Sequence, residues 1–322
     1  MGGRMGTERF GRRPAWLLSA LAVVATTGCE LDEVTLVEAR DVVVAEVLLE
    51  RSADEGGPDR LTALLHRTLA GGTGASRPVP GARVLVRRSD GFQVEMGETT
   101  LETCVVTTPV DAEGTCFWAT PETAGRFQAG DHLQVEVSLA DGGQLVGALT
   151  VPGAFELLLG ASEGRCSAEP EVPLELRWTR SQGSSVYVNE TLIYGIRDAL
   201  APQGIEVDED PLYLLGLSAS AEDTTIVFPG EFGVFNRFEL DQGLALALQR
   251  GLPAGTDADV SIAAAEDNYV NWVRGGSFNP SGQVRIPSLR GDGTGLFGAV
   301  VVRRIHISAD TAAVDLPRCS PS

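Results

Sequence analysis

From Val42 onward the apolar residues of this chain come in short runs of valine and leucine, broken by clusters of Gly, Pro, Asp and Ser. That punctuation belongs to strands joined by tight turns. Period two is cleanest between Phe127 and Leu139: Leu133, Val135, Val137 and Leu139 fall on one face, His132, Gln134, Glu136 and Ser138 on the other. Successive side chains of a strand point to opposite faces, so the first set predicts a core surface and the second a solvated one. Ala82, Val84 and Val86 alternate with Arg83, Leu85 and Arg87 in the same way, with the alanine and valines inward. Val42 to Leu49 is nearly continuous and reads as a strand covered on both faces, and Arg60 to Leu69 as another. Asp141-Gly142-Gly143 has the chemistry of a hairpin turn that returns the chain into 144–151. Roughly seven strands ending near Leu159 predict a β-sandwich over residues 41–160.

Gly160 to Gly164 is small and polar between apolar runs and marks a domain boundary. Beyond it, residues 165–322 read as a second β-rich domain with one or two short helices, so the fold class is mainly β throughout. Val172, Leu174, Leu176 and Trp178 alternate with polar residues, which places Trp178 in a core. Leu192, Ile193, Ile196, Ala199 and Leu200 recur at helical spacing behind Asn189, an N-cap residue, and predict a helix of about three turns. Leu212 to Leu217, Thr224 to Phe228, Val260 to Ala264 and Leu296 to Ile307 read as strands. Leu240 to Leu252 fits either period, and Glu266 to Arg274 reads as a short helix ended by Gly275-Gly276.

The opening residues set the compartment. Arg4, Arg9, Arg12 and Arg13 precede an apolar run from Ala15 to Thr26, and small residues lead to Cys29. A run of this length falls short of the ~18 to 20 residues that span a bilayer, and the arrangement is that of a secretory signal peptide over 1–29. Its ending resembles a bacterial lipobox, which implies acylation of Cys29, with an acidic tether over 30–40; plain secretion is the alternative. Export leaves Cys104, Cys116, Cys166 and Cys319 in an oxidising compartment, where an even number implies disulfides. Nearness in sequence favours Cys104 with Cys116, which leaves Cys166 with Cys319.

After removal of residues 1–29 the chain carries 21 arginines, no lysine and 43 acids, a net charge of −22. Such a charge excludes nucleic acid as a partner. Gly291-Asp292-Gly293-Thr294-Gly295 lacks the lysine and the helix of a phosphate loop and reads as a turn. His66, His132 and His306 are scattered, and no CxxC spacing occurs. No catalytic residue, metal ligand or cofactor is assigned on these grounds. One segment is dense in large amphipathic side chains: Tyr269, Asn271, Trp272 and Arg274, with Phe278 following. On a helix Tyr269 and Trp272 share a face, and they make a candidate binding surface for a sugar or a protein; the alternative is that they cover the sheet.

The chain resembles an uncharacterised family of bacterial outer-membrane lipoproteins, defined only as a domain of unknown function. The resemblance rests on the start at Cys29, Val42-Val43-Val44, Pro80-Gly81-Ala82-Arg83-Val84 and Ala129-Gly130-Asp131-His132-Leu133. It continues with Thr150-Val151-Pro152, Tyr269-Val270-Asn271-Trp272, Asn279-Pro280 and Gly295-Leu296-Phe297-Gly298-Ala299. It implies an amino-terminal prealbumin-like or immunoglobulin-like sandwich. It also implies a lipoprotein accessory to a TonB-dependent outer-membrane receptor. The expected function is non-enzymatic: a lipoprotein of the cell envelope, periplasmic or surface-facing on the outer membrane, that binds a partner protein or captures a peptide or glycan. A carbohydrate-binding module and a secreted hydrolase are the alternatives.

Overall fold

In a computed structural model the described residues are 41–68, 77–104, 114–161, 164–230, 242–274, 286–309 and 315–321. Residues 1–40, where a signal segment, Cys29 and a tether are expected, and Phe278 lie outside them. The first half contains β1 (Val43–Ser52), β2 (Arg60–Arg67), β3 (Arg77–Pro78), β4 (Arg83–Arg88), β5 (Gln93–Glu95) and β6 (Gly97–Thr99). These are followed by α1 (Leu101–Cys104), β7 (Thr115–Ala119), α2 (Pro121–Ala124), β8 (His132–Ser138) and β9 (Gln144–Thr150). After β10 (Leu159–Gly160) come β11 (Arg165–Ser167), β12 (Leu174–Arg177), β13 (Val186–Tyr194), α3 (Ile196–Leu200), β14 (Leu212–Leu217) and β15 (Thr225–Phe228). The chain closes with α4 (Gln242–Gln249), β16 (Asp257–Ala265), α5 (Asp267–Arg274), β17 (Arg290–Gly291), β18 (Gly293–Ser308) and β19 (Ser320–Pro321). The chain is therefore mostly β, with short helices.

A ten-stranded sheet runs in the order β14-β13-β16-β18-β1-β2-β7-β6, with β11 also paired to β18 and β3 to β2. A five-stranded sheet, β17-β9-β8-β4-β5, packs on one face of it. Alternation along β1 sends Val43, Ala45, Val47 and Leu49 into the space between the sheets, where they meet Val84 and Val86 of β4 and Val135 and Val137 of β8. Each valine or leucine of this set, fully buried, contributes about 1.5 to 3 kcal/mol. A second cluster gathers Tyr187, Ile193, Val260, Ile262, Ile305 and Ile307 under Phe155, Trp178, α3 and α4.

The regions on either side of residues 160–164 share the large sheet, and they share cores as well: Leu289, Phe297 and Ala299 pack in the first cluster, Phe155 and Leu159 in the second. β18 pairs in parallel with β1 from Val43↔Gly293 to Ser52↔Val302, and antiparallel with β16 on its other edge. Two disulfides join the expected partners. Cys104 at the end of α1 bonds Cys116 of β7, and Cys166 of β11 bonds Cys319 near the carboxyl end.

The helix expected behind Asn189 is mostly strand. Residues 186–194 are held on both sides, by β14 and by β16, and only Ile196–Leu200 is helical. Apolar residues at 192, 193 and 196 suit either period; pairing on two edges satisfies the backbone of the whole segment, which a helix would remove from the sheet. Asn189 is buried in the strand and accepts from the Thr191 hydroxyl at 3.2 Å, and the residue before α3 is Gly195. The glycine cluster at 291–295 is also not a free turn, since Gly293 opens β18. A Cβ on Gly295, whose φ is +142°, would stand 2.0 Å from the carbonyl oxygen of Ala45, so a side chain there would part β18 from β1. The ambiguous stretch near Leu244 resolves as helix, α4.

Candidate functional site

The face of the large sheet turned away from the five-stranded sheet carries α5 and, beside it, an open groove. Alternation puts Val186 and Val188 of β13, Ala265 of β16, and Val300 and Val302 of β18 on this face, where they meet Val270 of α5. Glu266, just ahead of the helix, fixes it in place. Its carboxylate accepts from the backbone N–H groups of Asn268 at 2.7 Å, Tyr269 at 2.9 Å and Ala299 at 3.2 Å. Burial pushes this carboxyl above its ordinary value, against the pull of those three donors. Asn268 then donates to the carbonyls of Ala148 and Phe297, which ties the first turn to both sheets.

The groove encloses about 1580 Å³ and is lined from β14, β13, β16, β18, β1 and β2. The register lays its residues out in rows. Glu190 of β13 pairs with Ser261 of β16, and Ser261 with Arg304 of β18. The next row holds Leu192, Asp259 and His306, and β11 brings Arg165 beside His306. On the far flank Glu50 of β1 faces Arg60 of β2, and Leu48 faces Thr62.

A gap in the pairing of β18 shapes one end. β1 leaves β18 after Ser52↔Val302, and β11 joins the same edge only at His306. Asp54 fills the interval with its side chain: its two carboxylate oxygens accept from the backbone N–H of Arg304 at 3.1 and 3.3 Å. The guanidinium of Arg303 lies 3.5 Å from Asp54 and donates to the carbonyl of Phe155. Arg304 extends its own guanidinium to Glu50. Asp259 accepts from Nδ1 of His306 at 2.8 Å. Arg303 and Arg304 are thus matched to carboxylates of the chain, while Arg60 donates to the carbonyl of Thr103.

Glu190 differs. It is open to water at the groove floor, yet ringed by protein, and the hydroxyl of Tyr213 donates to it at 3.1 Å. Poor solvation raises its carboxyl above the ordinary range; the Tyr213 hydrogen bond opposes the shift, Glu50 adds to it and Arg304 opposes it. The phenols of Tyr213 and Tyr269 are raised as well, first by burial and then by the charge of Glu190, with Glu50 and Glu46 also acting on Tyr269. Both tyrosines are therefore neutral hydrogen-bonding groups beside a concentration of carboxylates.

The aromatic segment singled out in the sequence is α5. Tyr269 is half-buried and lines the groove, with its ring against Gly298 of β18; Asn271 and Trp272 are half-buried, and Arg274 is exposed at the last turn. Of these residues, the structure brings Tyr269 to the groove. Glu190, Tyr213, Glu50 and Arg304 were not singled out from the sequence. The available signal was Glu190 itself, a charge at a same-face position between Val188 and Leu192, legible only once the segment is read as a strand. Comparison with protein-family models, with characterised proteins and with solved structures finds no match to this chain.

Proposed function

We propose that this chain is a lipoprotein of the bacterial cell envelope, tethered through acylated Cys29, that captures a ligand or partner protein in the groove beside α5 without chemical turnover. The observation that carries this reading is the groove itself: a cleft of about 1580 Å³ floored by strands rather than loops. Its polar pairs, Glu50 with Arg304 and Asp259 with His306, are held by the sheet register, which suits a preformed binding surface. The opening signal segment supports the tether. The resemblance to lipoproteins encoded beside TonB-dependent receptors makes an outer-membrane barrel the natural source of the partner.

Two variants test it. Cys29→Ala should move the protein from the detergent-soluble membrane fraction to the soluble fraction; unchanged attachment would refute the tether. Thr62→Trp places a large ring in the groove from β2, and should abolish capture of outer-membrane proteins by the purified chain while leaving its melting temperature within a few degrees. Undiminished capture by that variant would remove the groove from the function. A carbohydrate-binding role is the second reading, favoured by Tyr213 and Tyr269 beside carboxylates, and a glycan array reads it directly.

A further inference from the structure

We propose that the groove takes an extended peptide segment of a partner protein and seats one of its arginine or lysine side chains among Glu190, Glu50 and the rings of Tyr213 and Tyr269. This inference rests on the groove being the binding site and names the class of its occupant.

Three observations lead there. The first is charge. The groove is lined by seven carboxylates, with Glu46, Glu50 and Glu190 acting on the two tyrosines, against four arginines, Arg60, Arg165, Arg303 and Arg304. Glu50 has Arg304 as its partner, but Glu190 accepts only from a neutral phenol and makes no ion pair among the described residues. A guanidinium or ammonium arriving there would hydrogen-bond an accessible carboxylate, a charge-assisted contact, beside the two tyrosines.

The second is length. The lining spans six adjacent strands, from Tyr213 on β14 to Arg60 on β2. At ~4.8 Å per strand the groove is ~24 Å long, the reach of about seven residues in extended conformation. Leu48, Leu64 and Leu192 supply apolar surface along that track for the aliphatic parts of such a segment.

The third is the charge of the chain as a whole. At a formal −19 over 322 residues, a second copy or an anionic polymer would be repelled from the groove mouth, whereas a cationic segment is drawn toward it.

The test uses the full mature chain and immobilised heptapeptides, randomised at six positions and fixed at the centre as arginine, lysine, citrulline or glutamate. Arginine or lysine should be bound about tenfold better than citrulline, which has nearly the shape of arginine without its charge. Glu190→Gln should erase most of that discrimination. Glu122→Gln, which makes the same change in net charge on α2, should leave it intact. Equal binding of citrulline and arginine, equal effects of the two glutamine variants, or no peptide binding at all would overturn the proposal. Loss of outer-membrane capture in Thr62→Trp together with equal binding of citrulline and arginine would leave the groove as the functional site and remove only the cation.

Discussion

Tyr269 of α5 rests against Gly298 of β18: a Cβ at 298 would stand 3.3 Å from both Cβ and Cδ2 of the tyrosine. The missing side chain lets the helix lie close to the sheet, and this places the Tyr269 ring at the edge of the groove. Gly298→Val should push α5 outward. Overpacking of this kind costs about 1 to 3 kcal/mol, to be read as a lowered urea midpoint with faster amide exchange in α5 than in β16. An unchanged midpoint would mean that the helix is not held by this contact.

Glu266 serves the same helix from its amino end. Glu266→Ala leaves three backbone N–H groups without their acceptor and should cost about 2 to 3 kcal/mol. Glu266→Gln keeps an acceptor oxygen and should cost less. Exchange rates of the Tyr269 and Ala299 amides in the two variants check the order.

The Glu190 carboxyl is raised in the folded chain above its ordinary value of 4.5. The native state therefore holds this proton more firmly than the unfolded one. The stability that this group contributes is fully present below the ordinary value and is lost as pH rises through the raised one. Glu190→Gln removes that loss, so the stability of the variant minus that of the wild type should be more positive at about pH 7 than at about pH 4. Chemical denaturation at the two pH values measures it, and a difference of the opposite sign would contradict the account of Glu190 as a poorly solvated charge.

Cys166 and Cys319 close a separation of 153 residues and bind the carboxyl end to β11. Their loss in Cys319→Ser should cost about 2 to 5 kcal/mol, and exchange protection should fall more in β11 and β18 than in β8. Alkylation without reduction should leave Cys104, Cys116, Cys166 and Cys319 unlabelled in the wild type.

Much of the fold was legible locally. Val84, Val86, Val135 and Val137 are buried as their alternation requires, Trp178 lies in a core, and the cysteine pairs are those that spacing favoured. The helical period at 267–274 also holds. These features follow from backbone geometry within one element, or from the small number of ways to pair four thiols, and a sequence carries both directly.

The groove required contacts that no local pattern reports. Asp54 and Arg304 meet across 250 residues, and the parallel alignment of β1 with β18 brings Glu50 within reach of the same arginine. Between Val186 and Ile196 the side chains suit a helix or a strand, and the neighbours β14 and β16 decided the matter by satisfying the backbone on both edges. That choice put Glu190 on the open face, in the same row as Arg304 and within hydrogen-bond reach of Tyr213. Period and composition determined that this chain would be built of strands. Which strands became neighbours, and so which carboxylates share a groove, depended on long-range pairing, because hydrogen bonds between strands depend on register and not on distance along the chain.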